Sequence, residues 1–184
     1  FAEAFGVQVT SDNTAAAQGA SVVLLSIKPQ TFHLEALALG KAINKDSSII
    51  SIMAGVPTSD IERAFGGATR VVRAMPNLPI RVGAGIAALC RGRYATDDDM
   101  SFAVQLFEAG GKAIVLGNES LIDAVTALSG SGPAYFYYFV EALAQAGAEL
   151  GLSPRDALTL AEYTCLGAGR MMVETGQDPA VLRQ

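Results

Sequence analysis

The sequence predicts an α/β unit over residues 1–118 followed by an all-α region over residues 119–184. Three observations carry that division. Up to residue 118, short aliphatic runs alternate with amphipathic helical stretches, the pattern of strands and helices layered on one sheet. Past Asn118 the strand-like runs vanish. No low-complexity linker or repeat separates the two, so the boundary reads as a direct handover from strand to helix.

The elements follow in order. Ser21–Ile27 is an unbroken branched-aliphatic run, as expected of a parallel strand buried on both faces. Thr31–Ala42 reads as a helix, and Ser48–Met53 as a second buried strand. Ser59-Asp60-Ile61-Glu62 has the spacing of a capping box, and Gly66-Gly67 stops the short helix behind it. Thr69–Ala74 and Ile86–Cys90 are further strands, separated by a turn at Pro76 and Pro79. Thr96 places a cap, and Asp97–Asp99 three carboxylates, at the start of a helix running to Ala109. Ala113–Leu116 is the last strand. From Pro133 to Leu150 the polar positions Glu141, Gln145 and Glu149 draw one narrow stripe, so this helix is expected to be buried almost all round. Ser153-Pro154-Arg155-Asp156 opens another helix, which carries the small residues Gly167-Ala168-Gly169 for close backbone approach.

Composition narrows the function. Of 184 residues 51% are apolar and 17% charged, which argues for a packed core against disorder. A net charge of −5 without a basic cluster gives a nucleic-acid backbone nothing to bind. Mean hydropathy is positive, yet no apolar stretch approaches the roughly 18 residues that a membrane span needs. Cys90 and Cys165 stand alone and His33 is the single histidine, so neither a disulfide framework nor a multi-histidine metal site is expected. These features point to a reduced, cytoplasmic protein with no metal. The chain opens at Phe1 and closes on what reads as the start of another helix, so it is expected to be part of a longer one.

In open α/β sheets ligands lie beyond the carboxyl ends of the strands. Lys28 and Pro29, in Ser26-Ile27-Lys28-Pro29, hold that position after the first strand, Ala54-Gly55 after the second and Asn77 after the third. A lysine, a bare glycine and an amide at three strand ends favour a binding role over ordinary loops. Gly83-Ala84-Gly85-Ile86-Ala87-Ala88 matches a dinucleotide phosphate loop only formally. It follows two prolines and leads into a strand, so it reads as a glycine-rich turn, and any phosphate loop belongs upstream of Phe1. Ser129-Gly130-Ser131-Gly132-Pro133 runs into a proline-opened helix. Its amides would converge at the positive end of a helix dipole, either as a carboxylate or phosphate cradle or as a helix cap with a flexible lead-in. His33, beside Glu35, reads as a surface residue, and the Tyr135–Phe139 run as core or subunit interface.

Four segments, SIKPQ, SIMAGVPTSDIE, RVVRAMPNLP and LIDAVTALSGSGPAYFYYFVEALAQAG, resemble the pyrroline-5-carboxylate reductase family from about Asn13 to Gln184. The resemblance implies a Rossmann-like cofactor domain, incomplete at its start, over residues 1–118. A helical dimerisation domain, incomplete at its end, follows over 119–184. It further implies NADPH- or NADH-dependent reduction of 1-pyrroline-5-carboxylate to proline, in a homodimer that can assemble into a larger ring.

By the same resemblance Asn13, Ser26, Ile27, Lys28, Pro29, Ile52, Met53 and Ala54 fall where the family contacts the dinucleotide. Asn77 joins them from its strand end. Glu119, Thr126 and Ser131 fall where the family faces substrate. Met53 stands where a small residue is common and would narrow the nicotinamide pocket, and Leu78 replaces a frequent threonine. A protonated imine is already electrophilic, so the chemistry asks for placement against the nicotinamide more than for an acid–base pair, and no catalytic acid is assigned. Two rivals remain at this stage: a hydroxy-acid or imine dehydrogenase of the same architecture, and an inactive, truncated oligomerisation module.

Overall fold

In the computed structural model, which describes Ala2–Gln184, one five-stranded sheet runs in the order β1-β2-β3-β4-β5. The strands are β1 Val22–Leu25, β2 Ser48–Ser51, β3 Arg70–Pro76, β4 Gly85–Arg91 and β5 Gly111–Val115. Short helices α1 (Ala2–Phe5) and α2 (Asn13–Ala17) precede β1. Helices α3 (Pro29–Ala42) and α4 (Thr58–Ala64) are the crossovers that make β1, β2 and β3 parallel. Between β3 and β4 there is only a 3-10 turn, Leu78–Val82, too short for a crossover, so this pair is antiparallel. Helix α5 (Asp97–Glu108) then sets β5 parallel to β4.

Strand alternation feeds two cores, one on each face of the sheet. Ile49 and Val71 point to one face with Phe32, Met53 and Ile61. Ile50 and Val72 point to the other with Leu89, Met100 and Phe107. Each such fully buried aliphatic side chain contributes about 2 kcal/mol relative to exposure. Helix α5 starts at the expected cap: the Asp99 amide donates to Thr96 Oγ1 at 3.2 Å, and the Thr96 amide to Asp99 Oδ2 at 2.8 Å.

Two expectations for this region are corrected. Among the described residues β1 is not buried on both faces: it pairs with β2 alone, and Leu24 is 47% exposed. Nor does Ser59 open a capping box. Helix α4 begins at Thr58, after Pro57, with no cap from its own neighbours, and its first amide is taken by Glu119 from far along the chain.

Residues 119–130 pack with the sheet. The 3-10 turn Glu119–Leu121, helix α6 (Ile122–Val125) and a π-helical turn at Thr126–Gly130 place Ile122, fully buried, against Met75, Ala88 and Cys90. The compact unit therefore ends at Gly130, and a second spans Ser131–Gln184.

The second unit is the helix pair α7 (Gly132–Glu149) and α8 (Pro154–Thr175), followed by α9 (Pro179–Leu182). Ser153 caps α8 by accepting from the Asp156 amide at 3.1 Å. At the α7–α8 contact, a Cβ on Gly147 would lie 3.1 Å from that of Ala157. The expected all-round burial of α7 is not found within the chain. Tyr135 to Phe139 are all well exposed, because α8 covers only one side of the helix. Among the described residues, Gly167 and Gly169 likewise have no neighbour within 4 Å of where a Cβ would stand.

Candidate functional site

Because β1, β2 and β3 run parallel, their carboxyl ends lie along one edge of the sheet. A cavity of about 250 Å³ runs along β1 and α2, lined by Asn13, Ala16, Ala17, Ser26 and Ile27 among others. Asp12 caps α2, and burial being slight there, hydrogen bonds from Thr14 and Ala15 hold its carboxyl below the usual range. Asn13 follows, its Nδ2 donating to Glu35 Oε2 on α3 at 2.5 Å. Lys28 is exposed at the start of α3, where Pro29 occupies the first turn.

After β2, Ile52 is half-buried and Ala54 exposed, but the Met53 side chain is buried in the core with Val56 and Ile61. It therefore does not narrow a pocket, and only its backbone can face a ligand. Gly55 adopts φ +72°, with open space where a Cβ would stand. This bare backbone at a strand end accepts the approach of a flat ring, so the residues present fit a dinucleotide.

Asn77 is committed to the fold. Its Oδ1 accepts from the Ile86 amide at 3.0 Å and its own amide donates to the Ile86 carbonyl, which closes the turn from β3 into β4. The glycines of the formal phosphate-loop match serve the same turn: Gly83 ends it in the left-handed conformation and Gly85 starts β4.

Glu119 is the centre of the polar network. Its Oε1 accepts from the Thr58 amide at 2.8 Å and from Arg73 Nη1 at 3.0 Å, and its Oε2 accepts from Thr58 Oγ1 at 2.7 Å. Arg73 is 4% exposed, and neither its Nε nor its Nη2 has a hydrogen-bond partner. Asp123 Oδ1 lies 4.0 Å from Nη2. Gly55, Pro57, Arg73, Glu119, Ser120 and Asp123 line a cavity of about 330 Å³. In the core with Met75, Ala88 and Ile122, burial first and then the Glu119 charge push the Cys90 thiol up to about 11 against the pull of Arg73, so Cys90 stays protonated.

Thr126 is half-buried, its hydroxyl donating to the Ile122 carbonyl at 2.8 Å. The Ser129–Pro133 segment lacks the flexible lead-in that the helix-cap reading allowed. It runs through the π turn into α7, Ser131 is helical at φ −84° and ψ −20°, and neither Gly130 nor Gly132 has a positive φ. Ser131 is exposed at the head of α7.

The structure thus gathers Asn13, Ser26 and Ile27 along one cavity and joins Glu119 to the Gly55–Thr58 segment. Sequence reasoning overlooked Thr58 and Arg73. Arg73 was detectable, since it is the single charge inside Val71-Val72-Arg73-Ala74-Met75 and a buried charge demands a partner. Thr58 gave no comparable signal.

A sequence model described as pyrroline-5-carboxylate reductase dimerisation matches residues 119–184, and one described as NADP oxidoreductase, coenzyme F420-dependent, matches residues 1–55. A pyrroline-5-carboxylate reductase of Methanosarcina acetivorans is 40% identical over 97% of this chain and 66% of its own length. The structure of a pyrroline-5-carboxylate reductase from Coxiella burnetii superposes with a TM-score of 0.90 at 40% identity, covering 100% of this chain and 68% of that one. That of Plasmodium falciparum pyrroline carboxylate reductase, with NADP bound, gives 0.86 at 28% identity, covering 94% and 65%. The chain spans about two thirds of the length of these relatives.

Proposed function

Because this chain belongs to the pyrroline-5-carboxylate reductase family, we propose that its activity is the NAD(P)H-dependent reduction of 1-pyrroline-5-carboxylate to proline. The observation that carries the reading is the Glu119 carboxylate, fixed by Thr58 and Arg73 beside the bare backbone at Gly55.

Asn13, Ser26, Ile27, Lys28, Pro29, Ile52 and Ala54, with the backbone of Met53, would hold the dinucleotide, which supplies a hydride when bound. Asn77 supports the same wall through the β3–β4 turn. Glu119 faces the ring nitrogen, where an anion favours the protonated, electrophilic imine. Thr126 belongs to the substrate side, and Ser131, exposed at the head of α7, suits the ring carboxylate at the positive end of that helix. No side chain is assigned as an obligatory proton donor.

The aromatic surface of α7 supports a homodimer through the second unit, with larger rings built from it. The two free cysteines suit a reducing compartment such as the cytoplasm. The test is imine-dependent oxidation of NADPH and NADH by the full-length protein, run against a panel of hydroxy acids and other cyclic imines. Selective turnover of pyrroline-5-carboxylate supports the reading. Preference for a hydroxy acid favours a dehydrogenase of the same architecture instead.

A further inference from the structure

We propose that Thr58 and Arg73 are positioning residues that aim the Glu119 carboxylate at the reacting imine; this rests on the substrate-facing role of Glu119 proposed above. A carboxylate offers about four lone-pair sites on its two oxygens. Three are occupied, two on Oε1 by the Thr58 amide and Arg73 Nη1, and one on Oε2 by the Thr58 hydroxyl. One acceptor position on Oε2 is left for a ligand N–H. The donors come from two separate elements, the start of α4 and the middle of β3, so the carboxylate is fixed in rotation as well as in place.

The arrangement exceeds what holding the Glu119–Leu121 turn requires. Ile122, fully buried, already anchors that segment to the sheet. Arg73 is a buried cation with two nitrogens lacking any hydrogen-bond partner, and its closest anion is Glu119 at 3.0 Å, with Asp123 at 4.0 Å on an exposed side chain. A sequence under pressure for stability alone would fill this place with an apolar side chain, since a buried ion pair gains little over one. Thr58 adds a second consequence. Its amide and hydroxyl both engage Glu119, so the carboxylate and the Gly55–Pro57 segment move together, and both line the same cavity.

The decisive variants are Thr58→Val, which keeps shape and removes one donor, and Thr58→Ser, which restores it. Thr58→Val is expected to lower kcat/KM for pyrroline-5-carboxylate about tenfold, the loss expected for one hydrogen bond to a charged group. The KM for NADPH should hold within about twofold, and the shift in melting temperature induced by L-proline should shrink in parallel. Thr58→Ser should recover wild-type values. Should Thr58→Val fail to fold, Arg73→Lys makes the same comparison, keeping the charge while losing the fixed guanidinium geometry. Wild-type kcat/KM in the folded variant, or equal losses in Thr58→Val and Thr58→Ser, would overturn the positioning role alone. A wild-type protein inert toward the imine would overturn the functional reading and this inference together.

Discussion

The two units treat their apolar residues in opposite ways. In the first, Ile49, Ile50, Ile61, Val71, Val72 and Leu89 are wholly buried between the sheet and its helices. In the second, Gly132, Ala157 and Ala161 alone are buried among the described residues, and most large side chains of α7 and α8 stand in the open. Apolar content is alike in the two, but a sheet covered by helices on both faces buries it within one chain, and a lone pair of helices does not. A two-helix layer has one shared face, so the remainder of its apolar surface needs another surface to meet. The first unit is organised as a buried scaffold that positions side chains, and the second as surface.

The sharpest way to break that contrast is inside the sheet. Ile50→Ala should cost about 3 kcal/mol of unfolding free energy in urea titration, as for other fully buried aliphatic truncations. A loss below about 1 kcal/mol would mean that the sheet core is not the stabilising centre.

Much of this contrast was legible beforehand, and its failures are instructive. Strand and helix identities followed from aliphatic runs and their punctuation, because burial on a parallel sheet leaves an unmistakable pattern. The single chain leaves most of α7 uncovered, because periodicity reports how much of a helix avoids water, not whether the covering surface belongs to the same chain. The lead-in to the α7 cap at Ser129–Pro133 reads as flexible from its two glycines, but the π turn and α7 hold them without a positive φ. Glu119 came only from family resemblance. Its partners Thr58 and Arg73 lie 61 and 46 positions away, a pairing that no local pattern encodes.

A smaller effect is expected at the α5 cap. Thr96→Ala removes the acceptor for the Asp99 amide and should cost about 1 kcal/mol, read in the same urea titration. The same cluster sets an acid limit. Burial alone would raise the Asp99 carboxyl, but the Thr96 amide and hydroxyl, aided by Arg70, outweigh it and hold it below its ordinary 3.8. A lowered folded-state value stabilises the protein above that ordinary value and is lost as pH falls through the lower one. Stability measured below pH 3.8 should therefore fall less steeply in Asp99→Asn than in the wild type.

The smallest effect on folding is expected on the exposed helix. Tyr138→Glu, at a residue 74% exposed, should change unfolding free energy by no more than about 0.5 kcal/mol. In light scattering the same variant should dissociate whatever assembly the wild type forms. An assembly that survives would place the interface elsewhere.

The proposed role of Glu119 is to present one fixed carboxylate to the imine. It is tested most directly by the kinetics of Glu119→Gln in the full-length protein with pyrroline-5-carboxylate and NADPH. A loss of about ten- to a hundredfold in kcat/KM for the imine is expected, the range for a charge-assisted contact. The KM for NADPH should stay near the wild-type value. An unchanged kcat/KM for the imine would contradict it.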